Sequence, residues 1–220
     1  MEQHLILVAG GSGKRMKSPV PKQFLNLHGV PVLMHAMKVF FDYNPSISIV
    51  LVLPESHHKT WNQLVEKHQL TIPHKVVSGG KERFHSVKAG LNQVNEGLVA
   101  IHDGVRPLVS KNTIARCFQS AELKGSGIPV IPLVNSIRKT SENGSVAVNR
   151  SQYVSVQTPQ CFEVKKLKNC FEKNYHPSFT DDAAVWEAGG YEISLVDGNP
   201  ENIKITNPFD LTLGEALLKK

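Results

Sequence analysis

Leu5-Ile6-Leu7-Val8-Ala9-Gly10-Gly11-Ser12-Gly13-Lys14-Arg15-Met16 sets an unbroken apolar run against a glycine-rich loop that ends in cations. The run at 5–9 reads as a strand buried on both faces, the pattern of a parallel sheet. Glycines at 10, 11 and 13 let the backbone bend tightly at the strand exit, with Ala9 and Ser12 beside them, so that its N–H groups can face a polyphosphate. Arg15 and, in Pro21-Lys22-Gln23-Phe24, Lys22 add positive charge to the same place. Two better-known phosphate loops do not match. The GxxxxGK[ST] loop would need Gly where Val8 stands and Ser or Thr where Arg15 stands, and the dinucleotide fingerprint would need its third Gly at Met16. An ATPase and a dehydrogenase are both disfavoured.

Further along, apolar runs bounded by turn residues recur at 48–53, 75–78, 98–102, 128–132 and 193–196, and each reads as a strand. Helical patterns lie between them at 31–41, 57–68, 84–94, 112–123 and 181–188. Strands alternating with helices of this length imply right-handed crossovers and a mostly parallel, doubly wound α/β sheet covered on both faces. A last helix is expected after Asn207, which can cap, and Pro208, which suits the first turn. Its stripe of Leu211, Leu213, Leu217 and Leu218 should dock on the body. One segment breaks the alternation: Ser136-Ile137-Arg138-Lys139-Thr140 and Val146-Ala147-Val148 flank Asn143-Gly144, a type I′ turn signal. A lone ribbon is marginal in water. The arm at about 134–156 is therefore expected to pair with a second subunit rather than to form a flap, on one folded unit spanning 1–220.

The bulk composition narrows the function classes. A chain of 220 residues with 40% hydrophobic content can build a real core. Its start lacks a basic-then-apolar leader, and no apolar run approaches the roughly 20 residues of a membrane span. Cys117, Cys161 and Cys170 are an odd set without CxxC spacing, which argues against a disulfide framework and points to a reducing, cytoplasmic location. The net charge of +6 is scattered rather than gathered in a basic, aromatic-interleaved face, so nucleic acid is not expected as a partner. The ten histidines show no HxxxH or HExxH spacing and are read as surface or core residues.

Five further motifs follow the first loop in order. They are Ser78-Gly79-Gly80 running on to Arg83 and Ser86, His102-Asp103-Gly104-Val105-Arg106-Pro107, Gln157-Thr158-Pro159-Gln160, Thr180-Asp181-Asp182-Ala183, and Asn202-Ile203-Lys204-Ile205-Thr206. The loop at 79–86 ends a strand and opens a helix, where backbone amides suit a base. Asp103 falls at the carboxyl end of a parallel strand, the usual ligand position in open α/β sheets. There it can hold Mg²⁺ directly or through water, and Arg106 can meet a phosphate.

On these residues the chain resembles nucleotidyltransferases that activate phosphorylated sugars, most closely the 2-C-methyl-D-erythritol 4-phosphate cytidylyltransferase family, almost end to end. The resemblance implies transfer of a cytidylyl group from CTP to a small polyol phosphate, with Mg²⁺ or another divalent cation. It implies CTP contacts from Ala9, Gly10, Gly11, Ser12, Gly13, Lys22, Gly80, Arg83, Ser86, Asp103 and Gly104. Asp103, Arg106, Ser136, Arg150, Thr158, Thr180 and Lys204 would surround the acceptor, part of that pocket coming from a partner's arm. Arg15, Lys22 and Lys204 are the expected catalytic cations. Gly104, Asn135-Ser136, Asn149 and Lys81 depart from the usual pattern, and the lost acidic groups near the arm blur the acceptor's identity. Ribitol 5-phosphate is the rival acceptor, and a non-catalytic nucleotide-binding protein is the rival class.

Overall fold

The computed structural model describes residues 1–11, 16 and 18–218. Ser12, Gly13, Lys14 and Arg15 of the first loop lie outside the described residues. The strands in chain order are β1 (Gln3–Val8), β2 (Asn26–Leu27), β3 (Val30–Pro31), β4 (Ser48–Leu53), β5 (Lys75–Ser78), β6 (Leu98–Asp103), β7 (Ser126–Pro132), β8 (Arg138–Ser141), β9 (Gly144–Ala147), β10 (Val154–Val156), β11 (Gln160–Glu163) and β12 (Leu195–Asp197). The helices are α1 (Val32–Tyr43), α2 (His58–Lys67), α3 (Arg83–Leu91), α4 (Lys111–Lys124), α5 (Val164–Phe171), α6 (Asp182–Ala188) and α7 (Pro208–Leu218).

Successive side chains of a strand point to opposite faces, and β1 shows why its whole run is apolar. Leu5 and Leu7 pack with Leu33, Met37, Phe40, Leu51, Trp61 and Phe118 on one side of the sheet. Ile6 packs with Val50, Val52, Phe84, Val87, Leu91 and Phe162 on the other. The two cores on opposite faces are the double winding that the alternation implied.

The eight-stranded sheet runs β10-β7-β11-β6-β1-β4-β5, with β12 joined to β7. β1 pairs in parallel with β4 and β6, β4 with β5, and β12 with β7. β11 is antiparallel to both β6 and β7, and β10 is antiparallel to β7. The sheet is therefore mostly parallel, with two reversed strands. β10, β11 and α5 were not anticipated from sequence, although Val164, Leu167, Cys170 and Phe171 of α5 form a buried stripe at helical spacing.

The chain leaves β1 for β4 and β5 on one side, then returns to place β6 on the other. That reversal makes the carboxyl ends of β1 and β6, where Val8 lies opposite Asp103, the place where a ligand crevice opens in this kind of sheet.

The hairpin exists, with its turn one residue earlier than the dipeptide signal implies. Ser141 pairs with Gly144, so Glu142 and Asn143 form the turn. Positive φ falls on Gly144 (124°) and not on Asn143, which rules out the type I′ geometry. Both strands of the hairpin are exposed along their length. α7 starts as expected, the Asp210 N–H donating to the Asn207 side chain at 3.1 Å. Leu211 and Leu218 pack against the small cluster of Leu27, Val32, Val105 and Ile205, whereas Leu213 of the expected stripe stays exposed.

Candidate active site

A cleft of about 210 Å³ opens where β1 and β6 end, lined by Ala9, Gly10, Gly11, Lys22, Gln23, Gly80, Arg83, Ser86, Asp103 and Lys204 among others. Segments far apart in sequence build it. Gln23 is fully buried and donates from Nε2 to the carbonyl of Ala9 at 2.9 Å. Phe24 is buried beside Trp61, their rings stacked with centroids 6.4 Å apart. Lys22 stands immediately before these two anchors, and a Cβ at Gly11 would come within 3.4 Å of its Cε and 3.8 Å of its Nζ. The ammonium thus lies close to the glycine backbone. Gln23 was not singled out beforehand; its signal was a polar residue next to a buried aromatic in the Pro21-Lys22-Gln23-Phe24 run.

The second loop meets the first, since a Cβ at Gly10 would lie 3.9 Å from the Ser86 hydroxyl. That hydroxyl accepts from the Gly80 N–H and donates to the Glu82 carbonyl, both at 3.2 Å. Ser86 therefore faces the cleft while its own hydrogen bonds brace the loop at 79–82. Gly104 lies behind the cleft rather than in its lining. Its N–H donates to the Val8 carbonyl at 2.9 Å, and an added Cβ would sit 2.7 Å from Leu33 Cδ1 and 3.0 Å from Ala9 Cβ. Its smallness lets β6 close against the exit of β1.

Asp103 is the charge centre. Its Oδ2 lies 2.9 Å from Lys204 Nζ and 3.5 Å from Arg106 Nε, and its Oδ1 lies 3.6 Å from Arg83 Nε. Burial by itself would raise this carboxyl, but the combined field of Arg83, Lys204 and Arg106 outweighs it and holds the group well below the usual carboxylate range. It is an anion at any working pH.

A buried relay fixes its backbone. His102, fully buried and depressed by that burial to about 4, is neutral. Its Nε2 faces the Arg106 carbonyl at 2.9 Å, which can only accept, so Nε2 carries the proton. Nδ1 then accepts from the Thr158 hydroxyl at 3.1 Å, and that oxygen accepts the Asp103 N–H at 3.1 Å. Thr158 thus supports Asp103 and Arg106 from behind. Arg106 also donates from Nη1 to the Asn202 carbonyl at 2.7 Å. The adjoining chain is held by Asn202 Nδ2 on the Thr158 carbonyl at 2.8 Å and by the Ile205 N–H on the Val105 carbonyl at 2.8 Å, which aims Lys204 at Asp103.

Arg83 lines the cleft, yet its Nη1 and Nη2 both donate to Asp182, each at 2.7 Å. These bonds engage the two ends of its fork, so phosphate contact is not the geometry seen. Asp182 is 1% exposed. Burial holds its carboxyl above the usual range although Arg83 pulls it down, and burial would lower the Arg83 guanidinium but Asp182 and Asp103 outweigh it and raise it. Taking away one partner of so buried a pair costs about 3–5 kcal/mol. The pairing follows from local structure: Asp181 caps α6, accepting the Ala184 N–H at 2.9 Å, and Gln160 Nε2 braces Asp181 at 2.8 Å. Asp182 then falls in the first helical turn, a favourable place for an anion.

Three acceptor-pocket candidates stay outside this cluster. Thr180 is exposed on the loop before α6, and Ser136 and Arg150 are exposed on the arm, where Arg150 donates to the Val134 carbonyl. Among the described residues, no group of three or more His, Cys, Asp or Glu could hold a metal alone. A hard divalent ion commonly takes one or two protein carboxylates and completes its oxygen shell with substrate phosphates and water. Asp103, held ionised at the wall, with Glu82 also in the lining, fits that limited role.

A glycine-lined strand exit, a lysine over it and an ionised aspartate among cations, all at the switch point of a doubly wound sheet, define the class as a nucleotidyltransferase. A family model described as "IspD: 2-C-methyl-D-erythritol 4-phosphate cytidylyltransferase" matches residues 3–220, and the chain belongs to that family. It is 50% identical over 219 residues to the 2-C-methyl-D-erythritol 4-phosphate cytidylyltransferase of Bacteroides thetaiotaomicron, covering 99% of this chain and 100% of that one. The protein of the same name from Bacillus velezensis is 37% identical over 225 residues, covering 100% and 97%. The crystal structure of the Thermus thermophilus protein of that name superposes with a TM-score of 0.83 at 28% identity, covering 100% of both chains.

Proposed function

We propose that this chain transfers the cytidylyl group of CTP to the phosphate of 2-C-methyl-D-erythritol 4-phosphate, releasing pyrophosphate and 4-diphosphocytidyl-2-C-methyl-D-erythritol for isoprenoid precursor synthesis in the cytoplasm. The convergence of Lys22, Asp103 and Lys204 on the crevice at the ends of β1 and β6 carries this reading.

The acceptor is a phosphate monoester with a second pKa of about 6, so near neutral pH it is mostly dianionic and already nucleophilic. No general base is required, and catalysis reduces to alignment and charge neutralisation. The glycine backbone at Gly10 and Gly11 receives the triphosphate, with Lys22, and Arg15 by resemblance, stabilising charge on the transferring phosphoryl group. The strand-to-helix loop at Gly80, with Ser86 bracing it, receives the cytosine. Lys204 and Arg106, held by Asp103, face the acceptor phosphate for in-line attack on the α-phosphorus. Mg²⁺ or another divalent ion, held by Asp103 directly or through water, would supply further neutralisation of the triphosphate.

The arm at about 134–156 belongs to a single nucleotidyltransferase domain and serves pairing of two copies. Val134 and Val146 on the arm, and Tyr153, Val154 and Val156 where it rejoins the sheet at β10, leave large apolar side chains exposed, as an interface would. In such a dimer Ser136, Arg150 and Thr180 complete the acceptor pocket. The test is pyrophosphate release from purified protein, Mg²⁺ and each nucleoside triphosphate with methylerythritol phosphate or ribitol 5-phosphate. Release is expected only with CTP and methylerythritol phosphate; turnover of ribitol 5-phosphate at a similar rate, or none with either acceptor, contradicts the reading.

A further inference from the structure

The Thr180-Asp181-Asp182-Ala183 motif contains a buried carboxylate that the chemistry above does not use. Asp182 is almost fully buried and takes both terminal nitrogens of Arg83 at 2.7 Å. The same guanidinium turns its Nε toward Asp103 Oδ1, at 3.6 Å. That separation is an ion pair without a hydrogen bond. The other oxygen of Asp103 is closely engaged, by Lys204 at 2.9 Å. Asp103 thus has one oxygen committed to a catalytic lysine and one facing a cation held just short of contact.

We propose that Asp182 is a positioning residue that acts through Arg83. By occupying the fork of the guanidinium, it keeps Arg83 from closing a direct bidentate pair onto Asp103 and so leaves Oδ1 able to serve a cation or water in the cleft. Arg–carboxylate pairs form readily in the fork-to-fork geometry, and Asp103 is the other carboxylate paired with Arg83. Without Asp182 the guanidinium would move onto Asp103 and occupy it. Charge follows the same logic: Asp182 cancels Arg83, leaving Asp103, Arg106 and Lys204 with one net positive charge for an incoming phosphate.

This rests on the reading of Asp103 as a group of the active cleft, so the test carries Asp103→Asn as a reference. Steady-state pyrophosphate release is measured for Asp182→Asn, for the double variant Asp182→Asn/Arg83→Met and for the reference, with thermal unfolding as the folding control. Asp182→Asn is expected to lower kcat about tenfold or more while the KM for CTP stays within about twofold, because the nucleotide itself is not touched. Adding Arg83→Met should then raise kcat severalfold above the single variant, since Oδ1 is reopened. A purely structural role for the pair makes kcat fall and recover only in step with thermal stability, whereas a positioning role requires the loss in Asp182→Asn to persist at temperatures where that variant is fully folded. Wild-type kcat in Asp182→Asn, or a double variant no faster than the single one, overturns the proposal. If Asp182→Asn does not fold, the charge-neutral double variant decides: kcat within about fivefold of wild type supports the proposal and a larger loss overturns it. Near-normal kcat in Asp103→Asn would instead overturn the assignment of Asp103 itself, whereas an impaired reference beside a normal Asp182→Asn removes only the role of Asp182.

Discussion

Asp103 and Arg150 are both proposed to meet the acceptor, yet the molecule holds them in contrasting ways. Asp103 stands on a central strand, its backbone tied through Thr158 to a neutral buried His102 and its carboxylate set among Arg83, Arg106 and Lys204. Arg150 projects from an exposed arm whose hairpin strands, β8 and β9, pair only with each other among the described residues. The first arrangement is built within one chain, where among the described residues Arg83, Arg106 and Lys204 surround the carboxylate. The second joins the sheet at β10, but among the described residues its hairpin pairs with no other strand, and a two-stranded ribbon with exposed side chains gains its order from what it packs against. Preorganised charge in the cleft should therefore govern the chemical step, and the arm should govern capture of the acceptor.

Substitutions on the two sides should separate kcat from KM. Lys22→Ala removes a cation from the triphosphate's side of the cleft and is expected to lower kcat by roughly 10²-fold or more, the scale for losing one preorganised transition-state donor. A stopped-time assay at saturating CTP and acceptor measures this, and a near-normal kcat would detach Lys22 from the chemistry. Arg150→Ala is the milder change. Loss of one charge-assisted contact to a phosphate, about 1.5–3 kcal/mol, should raise the KM for the acceptor at least about tenfold. The KM for CTP and kcat should move little. If Arg150→Ala is kinetically silent in both parameters, the arm has no part in the pocket and the contrast between the two regions collapses.

The cleft was far more legible in the sequence than its supports. Lys22 and Asp103 could be placed because a glycine-rich turn after an apolar strand, and an aspartate at another strand's end, are local signals with a known position in a parallel sheet, whereas Lys204 came from the family resemblance alone. Their braces are not local. Arg83 and Asp182 are 99 positions apart, and the Thr158 hydroxyl reaches His102 across 56. No periodicity or motif spacing announces such pairings, so the bracing bonds of Arg83 and Thr158 were not anticipated beside the ligand contacts the resemblance implies for them. The hairpin was visible from Asn143-Gly144, but the register depended on which residue takes positive φ, and Gly144 alone does so. α5 escaped because Lys165, Lys166 and Lys168 interrupt a stripe of only four buried residues.

A crystal structure with CTP bound tests the central claim most directly. The triphosphate is expected over Gly10 and Gly11, beneath Lys22, with the base against the loop at Gly80 and the α-phosphate turned toward Asp103 and Lys204. A triphosphate found away from the carboxyl ends of β1 and β6 would contradict cytidylyl transfer in this crevice.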